Sequence, residues 1–237
     1  MTTPQPIDYE PQKPQKLRLD LDFWAYLLPM AIFLGFTQLG ASWKNLFPLS
    51  YLLKTAVVPI ALVLLWPRYT RIRWNHWWLG AVVGIIGIFQ WVGMQLWLQQ
   101  NVAFFKPSPD AFNPLEFFKE SPNLLWPFIA VRIIGAVLVV PVMEELFWRD
   151  FLWRSILAPN DFKLAGVGEW DWTAFLGVSA AFALVHGNWW LTSIVWAMMI
   201  GALLVYTKSL GACIIAHAVT NLLLAGYVLY SHDWAFW

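Results

Sequence analysis

Residues 124–157 read LLWPFIAVRIIGAVLVVPVMEELFWRDFLWRSIL, an almost wholly apolar run broken by Glu144-Glu145-Leu146-Phe147-Trp148-Arg149. Such a run is long enough to cross a bilayer, whose hydrocarbon core takes about 20 apolar residues as a helix. A charged side chain at bilayer depth costs roughly 2.5–3.5 kcal/mol on insertion scales, so two adjacent carboxylates here point to function and require partners. Those partners lie downstream, in Phe182-Ala183-Leu184-Val185-His186 and in His217-Ala218-Val219-Thr220-Asn221, both again in apolar segments. Glu, Arg, His and Asn gathered in membrane helices suggest water-activating chemistry inside a helical bundle.

The composition agrees. The chain is 59% hydrophobic and 12% charged, against roughly 45–50% and 25% in soluble domains, which identifies an integral membrane protein. A net charge of +1 offers no basic face for a polyanion, and nucleic acid is excluded as a partner. The lone Cys213 sits in an apolar segment and reads as a small core residue.

Residues 1–20 hold Pro4, Pro6, Pro11 and Pro14 among Gln, Lys and acidic side chains and are expected to form a disordered tail. No small-residue cleavage pattern of a signal peptide follows. One membrane domain is expected over residues 21–237, with a motif-bearing core at about 124–230. Windows of about 20 residues place spans at Phe23–Gly40, Leu49–Trp66, Trp77–Leu98, Leu124–Phe147 or beyond, Trp172–His186, Leu191–Tyr206 and Leu210–Tyr230. The expected fold is therefore all-α, a polytopic membrane bundle of about seven transmembrane helices (range 6–8), with the site on the last four. Gly80 and Gly84 form a small-xxx-small pattern that reads as helix packing. Gln99–Asn123, rich in proline, reads as an external loop.

Lys and Arg in the short loops favour a cytoplasmic N-terminus, with Arg68, Arg71, Arg73, Arg154, Lys163 and Lys208 on that side, and the bacterial inner membrane is the expected location. Lys54 and Arg132 fall within spans and are expected to snorkel toward an interface. Tryptophans near span ends, Trp24, Trp66, Trp74, Trp77, Trp78, Trp170, Trp172, Trp189 and Trp190, read as interfacial anchors. His76 and His232 lie outside the motifs and carry no functional reading.

Helical spacing assigns unequal roles to the two glutamates. Glu145 and Arg149, four residues apart, lie about 40° apart around an α-helix, with the acid first, and can pair. Glu144 is turned about 100° from Glu145 and escapes that neutralisation, while Trp148, one turn on, can cover it. Glu144 is thus the available carboxylate and suits a general base. Phe182 lies one turn from His186, and His217 one turn from Asn221, so each imidazole has a neighbour to wall it off or orient it. If the helix of Glu144 continues through Leu157, the glutamates and His186 come to similar depths, because about 13 residues separate each from its helix end.

The trio Glu144-Glu145-x-x-x-Arg149, Phe182-x-x-x-His186 and His217-x-x-x-Asn221 resembles the signature of the CPBP family, the CAAX-protease and bacteriocin-processing intramembrane glutamic endopeptidases also called the Abi family. The chain is also similar to the bacterial CAAX prenyl protease-related branch. The resemblance covers roughly Met143 to Ala225; upstream spans match only as generic membrane helices. It implies a metal-independent peptidase in which Glu144 with His186 activates water, His217 with Asn221 stabilises the oxyanion, and Glu145 with Arg149 braces the site. No cofactor is implied. The expected partners are a peptide or protein substrate at the membrane, cut near its C-terminus by the resemblance, and the lipid bilayer.

Three alternatives stay open from the residues alone. Zinc held by Glu144, His186 and His217 would make a metalloprotease, although no His-Glu-x-x-His occurs. Intramembrane Glu and His also mark proton paths in transporters. The third is a catalytically silent membrane scaffold of the same fold.

Overall fold

Apolar runs become helices wherever their length lets them satisfy every backbone group internally, as hydrocarbon requires. The computed structural model describes residues 21–106 and 111–237; the expected tail over residues 1–20 lies outside the described residues, as do Pro107 and Pro109. In chain order the apolar helices are α1 (Leu21–Ser42), α2 (Phe47–Leu64), α3 (Trp77–Asn101), α4 (Pro122–Leu157), α5 (Trp172–Leu184), α6 (Trp190–Thr207) and α7 (Leu210–Ser231). Among the described residues there is no strand. All but α5 are long and apolar enough, by length and composition, to cross a membrane. The structure is the all-α polytopic bundle expected.

Helix α4 does run through Glu144 to Leu157, but it is not uniformly α-helical. It is wound as a π-helix over Gly135–Val139 and again over Leu146–Leu152, so that the two glutamates end a short α-helical piece, Val140–Glu145, between two π segments. Pro141 explains the first segment, since it has no N–H to donate and cannot continue the α ladder. The N–H of Val140 donates to Gly135 instead, which leaves the Ala136 carbonyl without a helical donor. π segments inside α-helices recur at functional sites because they turn the following side chains out of phase.

Helix α5 has 13 residues, about 20 Å at 1.5 Å per residue, against a hydrocarbon core of about 30 Å. Asp171 starts it by accepting the Ala174 N–H at 2.9 Å. The chain then turns at Val185–Trp189, with Gly187 at φ +52°, a conformation that favours glycine. His186 stands in this turn, beyond the helix end, and its ring meets Trp91 of α3 edge-on at 5.9 Å.

Helix α3 is the wall against which α7 is set. A Cβ on Gly80 would overlap the Ala212 carbonyl, one on Gly84 would come within 2.5 Å of the Ala216 carbonyl, and one on Gly87 within 2.7 Å of Thr220 Oγ1. The glycines let the two backbones approach, as small-xxx-small patterns do. Thr220 Oγ1 bonds the Gly84 carbonyl at 3.1 Å across this seam. With one face of α7 so fixed, His217 and Asn221 are turned toward α4.

Several expectations require correction. Lys54 and Arg132 do not snorkel: both are buried, over aromatic rings. A residue this far inside a helix bundle finds rings closer than an interface. Arg154, counted above as a loop cation, is buried as well, pairing with Asp150, which also accepts from Tyr26 Oη at 2.6 Å. That polar lock satisfies the charges carried by the continuing end of α4. The segment read as a loop from Gln99 begins later, since α3 continues to Asn101, and its Phe105 and Phe118 are buried against the bundle. Trp189, half-buried, packs on Trp91 and Phe236.

Candidate active site

Glu145 is wholly buried, and one of its oxygens, Oε1, accepts from Arg149 Nη1 at 3.2 Å and from His217 Nδ1 at 2.9 Å. The i,i+4 pair expected within α4 is present, and α7 adds a second donor to the same carboxylate. His217 is therefore oriented by Glu145 and not by Asn221. With Nδ1 committed to the carboxylate, Nε2 is the ring atom left for other work.

Glu144 makes no hydrogen bond or contact ion pair among the described residues. It keeps 8% of its surface accessible where Glu145 keeps none. Its electrostatic neighbours are His217, Glu145, Arg149 and Lys54. His186 joins the same group through His217 and Arg149.

The His186 ring stacks on Phe182 at 4.3 Å, and Phe182 stacks in turn on Trp196 at 5.3 Å. Nδ1 of His186 lies 2.7 Å from the Phe182 carbonyl. A carbonyl only accepts, so Nδ1 carries the hydrogen and Nε2 is the free acceptor of the neutral ring. Trp196 also meets His217 edge-on at 4.7 Å, and Arg149 lies over both Phe182 and Trp196, at 5.1 and 5.5 Å. Trp148 packs edge-on against Phe182 at 5.7 Å and forms part of the same aromatic wall.

Asn221 is held from an unexpected direction. Its Nδ2 donates to the Ala136 carbonyl at 2.7 Å, the acceptor that the π winding before Pro141 sets free. One amide hydrogen is thereby fixed and the other remains to donate. Pro141 breaks the ladder, the Ala136 carbonyl is left without a backbone donor, and the Asn221 amide donates to it beside the helix that carries Glu144.

The structure thus gathers Glu144, Glu145, Arg149, His186, His217, Asn221 and Phe182 from α4, α5 and its following turn, and α7. It adds Trp196, Trp91 and the Ala136 carbonyl. Trp91 and Trp196 carried a signal, since both stand in the middle of spans, where an interfacial role cannot apply. The Ala136 carbonyl carried only an indirect one, the proline five residues on. Among the described residues no three His, Cys, Asp or Glu side chains are grouped as a metal site would need.

Residues 126–223 match the family described as type II CAAX prenyl endopeptidase Rce1-like, and that span holds both glutamates, Arg149, both histidines and Asn221. No curated protein and no solved structure matches the chain. The protein is an integral membrane protein, and its residues 126–223, which carry every residue of the motif trio, are similar to the Rce1-like type II CAAX prenyl endopeptidase family.

Proposed function

We propose that this chain is a glutamate-dependent intramembrane endopeptidase that uses no metal, with Glu144 as the base. The observation that carries the reading is the division of labour between adjacent carboxylates, Glu145 doubly engaged by Arg149 and His217 and Glu144 left unpaired beside them. A base must be free to accept a proton and close enough to water to receive one. In this reading Glu144 takes a proton from a water that His186 Nε2 helps to hold, and the resulting hydroxide attacks the scissile carbonyl. His217 Nε2–H and the second Asn221 amide hydrogen donate to the oxygen of the tetrahedral intermediate. Glu145 accepts Nδ1–H of His217 and so compensates the charge of the doubly protonated ring, the form that can donate from Nε2. The proton on Glu144 is then delivered to the leaving amine.

The substrate proposed is a peptide or protein at the membrane, cut near its C-terminus. We place the N-terminus in the cytoplasm from the cations that remain in the loops, Arg68, Arg71, Arg73, Lys163 and Lys208, and the protein in a bacterial inner membrane from the resemblance to the bacterial branch. The deciding experiment compares purified parent and Glu144→Gln in nanodiscs against membrane-anchored peptides. The reading requires cleavage by the parent and none above background by the variant, with equal thermal stability. Near-native turnover by Glu144→Gln would remove Glu144 from the mechanism.

A further inference from the structure

Two cations inside the bundle have no carboxylate in contact among the described residues. Lys54 of α2 is buried, donates to Thr37 Oγ1 at 3.0 Å, and lies 4.3 Å from the Tyr51 ring centre. Arg132 of α4, 3% exposed, lies 5.3 Å from that same ring and 4.5 Å from the ring of Trp237. Its Nε and Nη1 are buried and make no hydrogen bond. Lys54 and Tyr51 line a narrow open cleft between α1, α2 and α4, together with Phe33, Thr55, Gly135, Val139 and Val140. Glu144 lies within electrostatic range of Lys54 without touching it.

Aromatic rings alone do not balance this arrangement. A desolvated cation–π contact is worth about 2 kcal/mol, whereas burying an ion costs several kcal/mol even after relaxation. Lys54 and Arg132 also feel each other's charge. An oxyanion would supply the missing acceptor for the guanidinium and offset both charges.

We propose that Lys54 and Arg132 form an oxyanion-binding subsite that seats a carboxylate or phosphate group. Resting on the endopeptidase reading, its occupant is the C-terminal carboxylate of the substrate; the other source of the same chemistry is a phospholipid headgroup. The spacing fits a peptide. Arg132 and Glu144 are separated by at most about 18 Å along α4 at 1.5 Å per residue, the π winding over Gly135–Val139 shortening the rise. An extended chain covers about 3.3 Å per residue, so a peptide ending at Arg132 presents to Glu144 a bond no more than about five residues from its end, and fewer if it ends at Lys54.

The test uses the full chain in nanodiscs carrying Glu144→Gln to prevent turnover. The probe is a pool of prenylated heptapeptides randomised at the last four positions, made once as the free acid and once as the C-terminal amide. Binding of the acid pool at least tenfold tighter than the amide pool is expected. Arg132→Gln and Lys54→Met should each erase most of that preference by weakening acid binding alone, and Arg132→Lys should keep part of it. Native mass spectrometry of parent and Arg132→Gln in phosphatidylglycerol nanodiscs forms the second arm. If neither pool binds but one phosphatidylglycerol stays with the parent and leaves with Arg132→Gln, the subsite stands with a lipid phosphate and the peptide assignment falls. Equal affinity for acid and amide without a retained lipid, or equal loss of both pools on Arg132→Gln, overturns the subsite and leaves a structural cation. Cleavage by the Glu144-containing parent reports on the endopeptidase reading independently of all these results.

Discussion

Nδ1 of His217 lies 2.9 Å from Oε1 of Glu145, the same oxygen that Arg149 Nη1 approaches at 3.2 Å. A single carboxylate oxygen thereby ties α7 to α4 and consumes the charge of Glu145. Its neighbour Glu144 is spared both partners. Two residues adjacent in sequence and identical in chemistry thus differ in their contacts.

The pair should separate cleanly on substitution. Glu144→Gln preserves shape and removes only the base, so activity should fall to background while the thermal midpoint stays within a degree or two of the parent. Glu145→Gln should lower both. Differential scanning fluorimetry beside a cleavage assay reads the contrast.

Breaking the buried pair leaves one charge uncompensated, which costs about 3–5 kcal/mol. Arg149→Met and Glu145→Gln are therefore each expected to lower stability by that order. The double variant Glu145→Gln/Arg149→Met should recover a substantial part, because no lone charge remains. Additive losses in this cycle would show that the two side chains do not act as a pair.

Asn221→Ala should reduce kcat by about 10²–10³, the usual cost of one oxyanion donor, with little change in KM. Pro141→Ala tests the origin of that donor's orientation. Restoring an N–H at this position lets the α ladder close through Gly135–Val139 and re-engage the Ala136 carbonyl. We expect unchanged or higher stability together with a loss of kcat approaching that of Asn221→Ala. Full activity in Pro141→Ala would show that the π winding does not set the amide.

Exhaustive chelation should leave the rate unchanged if Glu144 and His186 activate water unaided. Metal analysis of the same sample completes the measurement. Loss of activity that stoichiometric zinc restores would transfer the chemistry to the metal reading.

Gly84→Ala places a methyl group within 2.5 Å of the Ala216 carbonyl, and a backbone atom in a packed helix has little room to yield. A cost of about 1–3 kcal/mol is expected for this overpacking. The displaced α7 carries His217, so activity should fall as well. Gly93→Ala on the same helix, where nothing lies within 4 Å, is the control and should be neutral or slightly stabilising.

Helix existence and order were legible because hydrocarbon admits so few backbone solutions: an apolar run of sufficient length must be a helix. The long α4 was legible from a single physical conflict, the depth mismatch that arises if the helix stops at Phe147. The Glu145–Arg149 pair followed from i,i+4 spacing, which is local and survives whatever the rest of the chain does. The neighbourhood of His186 and Phe182 was legible too, although the structure reaches it through the turn after α5 and not through continued helix.

What the residues could not disclose concerns partners far apart in the chain. That His217 would turn to Glu145, and Asn221 to the Ala136 carbonyl, depends on the phase of α4 after its first π segment. A single slipped hydrogen bond changes that phase, and spacing rules for an ideal helix do not register the change. The inward fate of Lys54, Arg132 and Arg154 was likewise invisible, because a long basic side chain within a span can reach an interface or a ring, and only the packed neighbours decide which. The sequence by itself determined the helices, their order and the chemical inventory of the site. That Glu145 takes His217 as a second partner, and that Asn221 turns to the Ala136 carbonyl, was decided by the tertiary structure, because α3 holds α7 against one face of α4.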